Sequence, residues 1–128
     1  MDLTPFFQSV LEQDPAPIVL CDRNHTIVYL NPAAASRYAD RGGYGLVGRS
    51  LLSCHDERSN AAILKVLSWF AESPRHNRVH TVRNEKACKD VYMVALRDSG
   101  GELIGYYEQH AFRAWDTEGL YQLTSDKE

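Results

Sequence analysis

The sequence predicts an α+β domain built on one antiparallel sheet, and three observations predict it. Two short β-branched and aromatic runs near the start flank a turn at Asp22-Arg23-Asn24. One long amphipathic run lies mid-chain. Three further apolar runs joined by short turns close the chain, the pattern of an antiparallel meander.

The elements follow in order. DLTPFFQSVLEQ carries Phe6, Phe7, Val10 and Leu11 at helical spacing, and Thr4-Pro5 signals a helix start. Asp14-Pro15-Ala16-Pro17 ends it. IVLCD and TIVYLN then read as a hairpin. Pro32, pre-set in φ for a first helical position, opens a short helix, PAAASRYAD, and a glycine-rich loop follows. In ERSNAAILKVLSWFAES, Ile63, Val66, Leu67 and Phe70 fall at i, i+3, i+4 and i+7, so this is the long helix, with Asp56 as its N-cap. Ser73-Pro74 stops it. RVHTVR, DVYMVALRD and ELIGYYEQH are the three closing strands, with turns at 84–90 and 98–101. The expected organisation is a helix at 1–13, a folded body at 14–112 and a tail at 113–128. Pattern alone leaves the strand order open.

Bulk properties exclude several classes. The 128 residues suit one domain, and 44% hydrophobic with 24% charged residues is ordinary for a soluble protein. A net charge of −3 gives no footprint for nucleic acid. Three cysteines without C-x-x-C spacing argue against a disulfide framework or structural zinc. The acidic N-terminus lacks the basic region of a signal peptide, and no apolar run reaches the ~20 residues of a membrane span. A cytoplasmic setting is expected. No nucleophile elbow, phosphate loop or paired acid set is present, so no enzyme is expected. Gly43-x-Gly45-x-x-Gly48 matches a dinucleotide fingerprint as a string, but a helix precedes it where a βαβ unit needs a strand.

Three stretches together resemble a PAS domain. DPAPIVLCDRNHTIVYLNPAAASRYAD is similar to the opening hairpin of that family, followed by Asn31-Pro32 and a helix bearing an aromatic, Tyr38. LVGRSLLSCHDE resembles its Val-Gly-Arg step before the long helix, and VALRDSGGELIGYYEQH its closing hairpin, where Gly105 sits in the last strand. The Cys54-His55 step is also similar to that of PAS modules attached to bacterial hemerythrin-like proteins. The resemblance covers about 14–112. It implies a five-stranded antiparallel sheet of order 2-1-5-4-3, with helices packed on one face around a central cavity. It implies sensing through that cavity, or service as a dimerisation and partner platform.

Family members hold haem, flavin, small acids or nothing, so the fold does not choose. Flavin photochemistry is not expected: the reactive cysteine and phosphate-binding arginine would fall at Leu51 and Leu52. Haem remains an expectation at His55, with Cys54 as an alternative thiolate; against it, the pair is simply the chain entering the helix capped by Asp56. The other histidines, His25, His76, His80 and His110, read as surface or satisfied groups.

By analogy with the family, alternation turns Val91, Met93 and Ala95 inward, and Leu103, Gly105 and Tyr107 with them. A small ligand is then expected between those strands and Phe70 of the long helix, with Gly105 leaving space. Tyr92, Ile104 and Tyr106 would face outward as an apolar patch. The N-terminal helix would cover that patch in a homodimer built on Phe6, Phe7, Val10 and Leu11. Two readings result: a small-molecule sensor, or a ligand-free interaction module with a filled core. In either, output passes through a partner protein.

Overall fold

The computed structural model describes residues 1–112 and 119–123. Most of the expected tail therefore lies outside the described residues. Helix α1 (Thr4–Gln13) leads into the hairpin of β1 (Val19–Asp22) and β2 (Ile27–Leu30). Helix α2 (Pro32–Arg37) is followed by three short 3-10 turns, Ala39–Arg41, Gly43–Leu46 and Leu51–Cys54. Helix α3 (Glu57–Glu72) crosses to β3 (Arg78–Asn84), β4 (Lys89–Arg97) and β5 (Leu103–Phe112).

All strand pairs are antiparallel and the order is β2-β1-β5-β4-β3. The helices form as their caps dictate. Asn31 accepts from the Ala34 amide at the start of α2, and Asp56 accepts from the Ser59 amide, 2.8 Å, at the start of α3. Helix α3 has no basic residue in its last turn. Arg97 substitutes from β4, donating through Nη2 to the carbonyls of Phe70, Ser73 and His76.

Asn31 is fully buried and ties four segments together. Its Oδ1 accepts from the amides of Ile18 and Ala34, and its Nδ2 donates to the carbonyls of Leu11, Asp14 and Ala16. Each of those backbone groups would otherwise be orphaned where the chain turns.

The core lies between the inner sheet face and the helices. Ala34, Leu46, Ile63 and Phe70 meet Cys21, Ile27, Leu30, Met93, Leu103 and Tyr106 there. In β4 the expected alternation holds, with Val91 and Met93 buried. In β5 it fails after the first residue. Leu103 pairs with Arg97 but Gly105 pairs with Leu96, so Ile104 is an inserted bulge residue. One extra residue reverses every later side chain. Leu103 faces inward as expected. Tyr106, expected outside, is inside at 1% exposure. Gly105, expected inside, packs against the Cys21 backbone, and Tyr107 pairs with Val94. Glu108 and His110 turn inward, opposite Met93 and Val91.

Helix α1 is amphipathic as expected, yet it buries none of its residues. It contacts α2 and reaches β2, where the Tyr29 hydroxyl donates to Glu12. The patch assigned to it is not as drawn, because Tyr106 leaves it. Tyr92 is stacked by the Arg78 guanidinium, 3.7 Å away, and by the His80 ring. Ile104 is exposed.

Candidate functional site

The Val-Gly-Arg step docks along the free edge of β2. The Ile27 amide donates to the Arg49 carbonyl, the Gly48 amide to Ile27, and the Leu51 amide to His25. Gly48 adopts φ +94°, a left-handed turn that glycine allows without strain. This docking covers the edge and aims the Leu51–Cys54 turn across the inner sheet face.

Beneath that turn lies a cavity of about 100 Å³. Its apolar walls are Val19, Ile27, Leu30, Leu46 and Leu51. Its polar lining is Tyr38, Arg41, Cys54, His55, Glu108 and His110, with Tyr106 and Tyr107 alongside. The site thus lies between the short helical segments and strands β1, β2 and β5.

That corrects the expected position between the long helix and strands four and five. Cys54, His55 and Tyr107 do line the cavity. Phe70, Val91, Met93 and Leu103 are buried away from it. Gly105 leaves no space at all: a Cβ there would sit 2.0 Å from the Cys21 carbonyl oxygen. It is glycine because the β1 backbone passes against it.

Glu108 and His110 were missed as site residues because the bulge was missed. A glycine inside a strand pattern was the available signal. Burial lifts the Glu108 carboxyl above its usual range, opposed by the nearby charges of His55 and Lys89. Burial, then Lys89 and Arg37, pushes His110 down to about 4, so its ring is neutral at physiological pH. The His110 Nδ1 is buried with no hydrogen-bond partner. His25, by contrast, is satisfied, with Nδ1 2.8 Å from the Tyr106 hydroxyl. Burial also drives the Cys21 thiol up to about 12, leaving it inert beneath the site. The His55 Nδ1 lies 3.0 Å from the Leu51 carbonyl. A carbonyl only accepts, so Nδ1 carries a hydrogen and donates it.

The family model described as the PAS fold matches residues 11–109. The chain belongs to the PAS-fold family. No curated protein matches it. Among solved structures, it is similar to a PAS domain from Colwellia psychrerythraea, at 11% identity and a TM-score of 0.64, covering 87% of this chain and 97% of that one. It is similar to the Aer2 receptor of Vibrio cholerae, described as a dual PAS-heme oxygen sensor, at 19% identity and 0.53, covering 74% and 91%. It also resembles the dimeric receptor VqmA of Vibrio cholerae, at 18% identity and 0.55, covering 86% of this chain and 52% of that one. At these identities the likeness is one of fold.

Haem can be tested against this PAS cavity directly. His55 holds its ring as a metal-bound imidazole does, with one N–H on a carbonyl. The space does not fit. A tetrapyrrole is larger than the drug-sized ligands whose clefts span roughly 300–1,000 Å³, and this cavity holds about 100 Å³. Among the described residues no three His, Cys, Asp or Glu side chains are grouped to hold a metal ion.

Proposed function

We propose that this PAS domain is a non-catalytic sensor that binds a small molecule beneath the Leu51–Cys54 turn and reports occupancy through self-association or a partner protein. One observation carries the reading. A largely apolar cavity is lined by a half-buried carboxyl and by an imidazole whose buried Nδ1 has no hydrogen-bond partner, groups that cost stability and give a close-packed core nothing. Such costs persist where function uses them.

Output through a dimer has its own support. Phe6, Phe7 and Val10 of α1 are 59%, 63% and 69% exposed on one short helix. A second copy, joined through α1 with Leu11, Tyr92 and Ile104 at the margin, would cover that surface. Three free cysteines suit a reducing, cytoplasmic setting. Among the described residues no helix is long and apolar enough to cross a membrane. The Cys54-His55 step, similar to that of modules attached to bacterial hemerythrin-like proteins, points to the same setting.

The test is a fragment screen on the full chain read by 1H–15N NMR. Shifts gathered at Ile27, Leu46, Leu51 and Glu108 support the sensor. No fragment shifting those amides leaves the other reading, an interaction module with a filled core.

A further inference from the structure

The cavity has an uneven hydrogen-bonding character. Glu108 enters from β5 and His55 from the end of the Leu51–Cys54 turn. The carboxylate is an acceptor. The His55 Nδ1–H is committed to the Leu51 carbonyl, which leaves Nε2 as the ring atom able to meet a ligand. No hydrogen bond or ion pair joins the two, and no described residue donates to either atom. The cations nearby do not fill the gap: Arg37 and Lys89 do not line the cavity, and Arg41 reaches the Cys54 carbonyl at the exposed rim. The Glu108 carboxyl and the His55 ring therefore face one space, shared with the Tyr38 hydroxyl, the Cys54 thiol and the His110 ring, and among the described residues no cation pairs with the carboxyl.

What the carboxyl lacks is a cationic partner, and a ligand can bring one. A metal ion lacks a third ligand among the described residues. A carboxylate would set a second negative charge beside Glu108 in low dielectric. An alcohol brings one donor and no charge. An ammonium brings three, and its charge offsets that of Glu108. Val19, Ile27, Leu30, Leu46 and Leu51 form the apolar part of the wall and suit a short hydrocarbon body. Resting on the sensor reading above, we infer that the ligand is a small primary amine with an apolar body, its ammonium bridging Glu108 and His55.

Three probes of one shape test it: isopentylamine, isopentanol and isopentanoate, titrated into the full chain at neutral pH and read by calorimetry and 1H–15N NMR. Isopentylamine should bind about tenfold tighter than isopentanol, the worth of one charge-assisted hydrogen bond. Isopentanoate should bind weakest. Glu108→Gln should bring the amine down to the alcohol's affinity and leave the alcohol unchanged. His55→Phe, an independent variant at the opposite wall, should also weaken the amine selectively. Equal or tighter binding of the alcohol or the acid overturns the amine assignment while the sensor stands. So does an amine preference that survives both substitutions. A cavity that takes none of the three probes, yet takes other fragments, overturns the assignment as well. A cavity that takes no fragment of any kind removes the sensor reading and this inference together.

Discussion

Asn31 shows how much one side chain can organise. An amide side chain has two acceptor and two donor sites, and here five backbone groups converge on it. Asn31→Ala should lower stability by roughly 3 kcal/mol, since several buried groups lose partners at about 1–3 kcal/mol each. Asn31→Asp should cost more, because an oxygen then faces three carbonyls. Urea denaturation measures both. The paired site residues can be separated by pH. The folded-state value of Glu108 is raised, so its contribution is full below the ordinary 4.5 and is lost as pH rises through the folded value. Glu108→Gln should therefore be the more stable protein at neutral pH, converging with the parent in acid. His110 runs the other way. Its contribution is present above 6.5 and lost as pH falls through about 4. His110→Phe should flatten that acid loss. Melting temperatures from pH 4 to 8 distinguish the two slopes.

At the level of elements, the bulge at Ile104 decides where the site lies. Gly105→Ala places a Cβ against the Cys21 carbonyl and should force β1 away from β5. A loss of about 3 kcal/mol in denaturant, in the range of overpacking, is expected. Faster amide exchange across β1 should accompany it. Much of the element order was legible in the sequence because turns, caps and apolar periodicity are local signals. The Asp56 cap, the Pro32 helix start and the three closing strands each occur where their local pattern places them. The inward set of β4 was legible for the same reason. The second half of β5 was not, because alternation presumes an unbroken count of two and one inserted residue shifts every side chain beyond it. Tyr106, Glu108 and His110 inherit that error. The convergence on Asn31 was equally hidden, since partners 13 to 20 residues away depend on the assembled fold.

For the whole molecule, the question is what reads the cavity. Helix α1 offers Phe7 to solvent at 63% exposure. If two copies meet there, Phe7→Asp should convert a dimer to a monomer by light scattering, with the melting temperature little changed. A parent that is already monomeric, or a variant of unchanged mass, would remove α1 from the interface. The most direct test of the central claim, that this PAS domain keeps a ligand cavity rather than a packed core, is the thermal stability of Val19→Phe. Val19 lines the cavity from β1, and the ring has about 100 Å³ into which to extend. Filled space should leave the melting temperature equal or higher and abolish fragment binding. A loss in the range of about 1–3 kcal/mol, the cost of overpacking a dense core, would contradict the account.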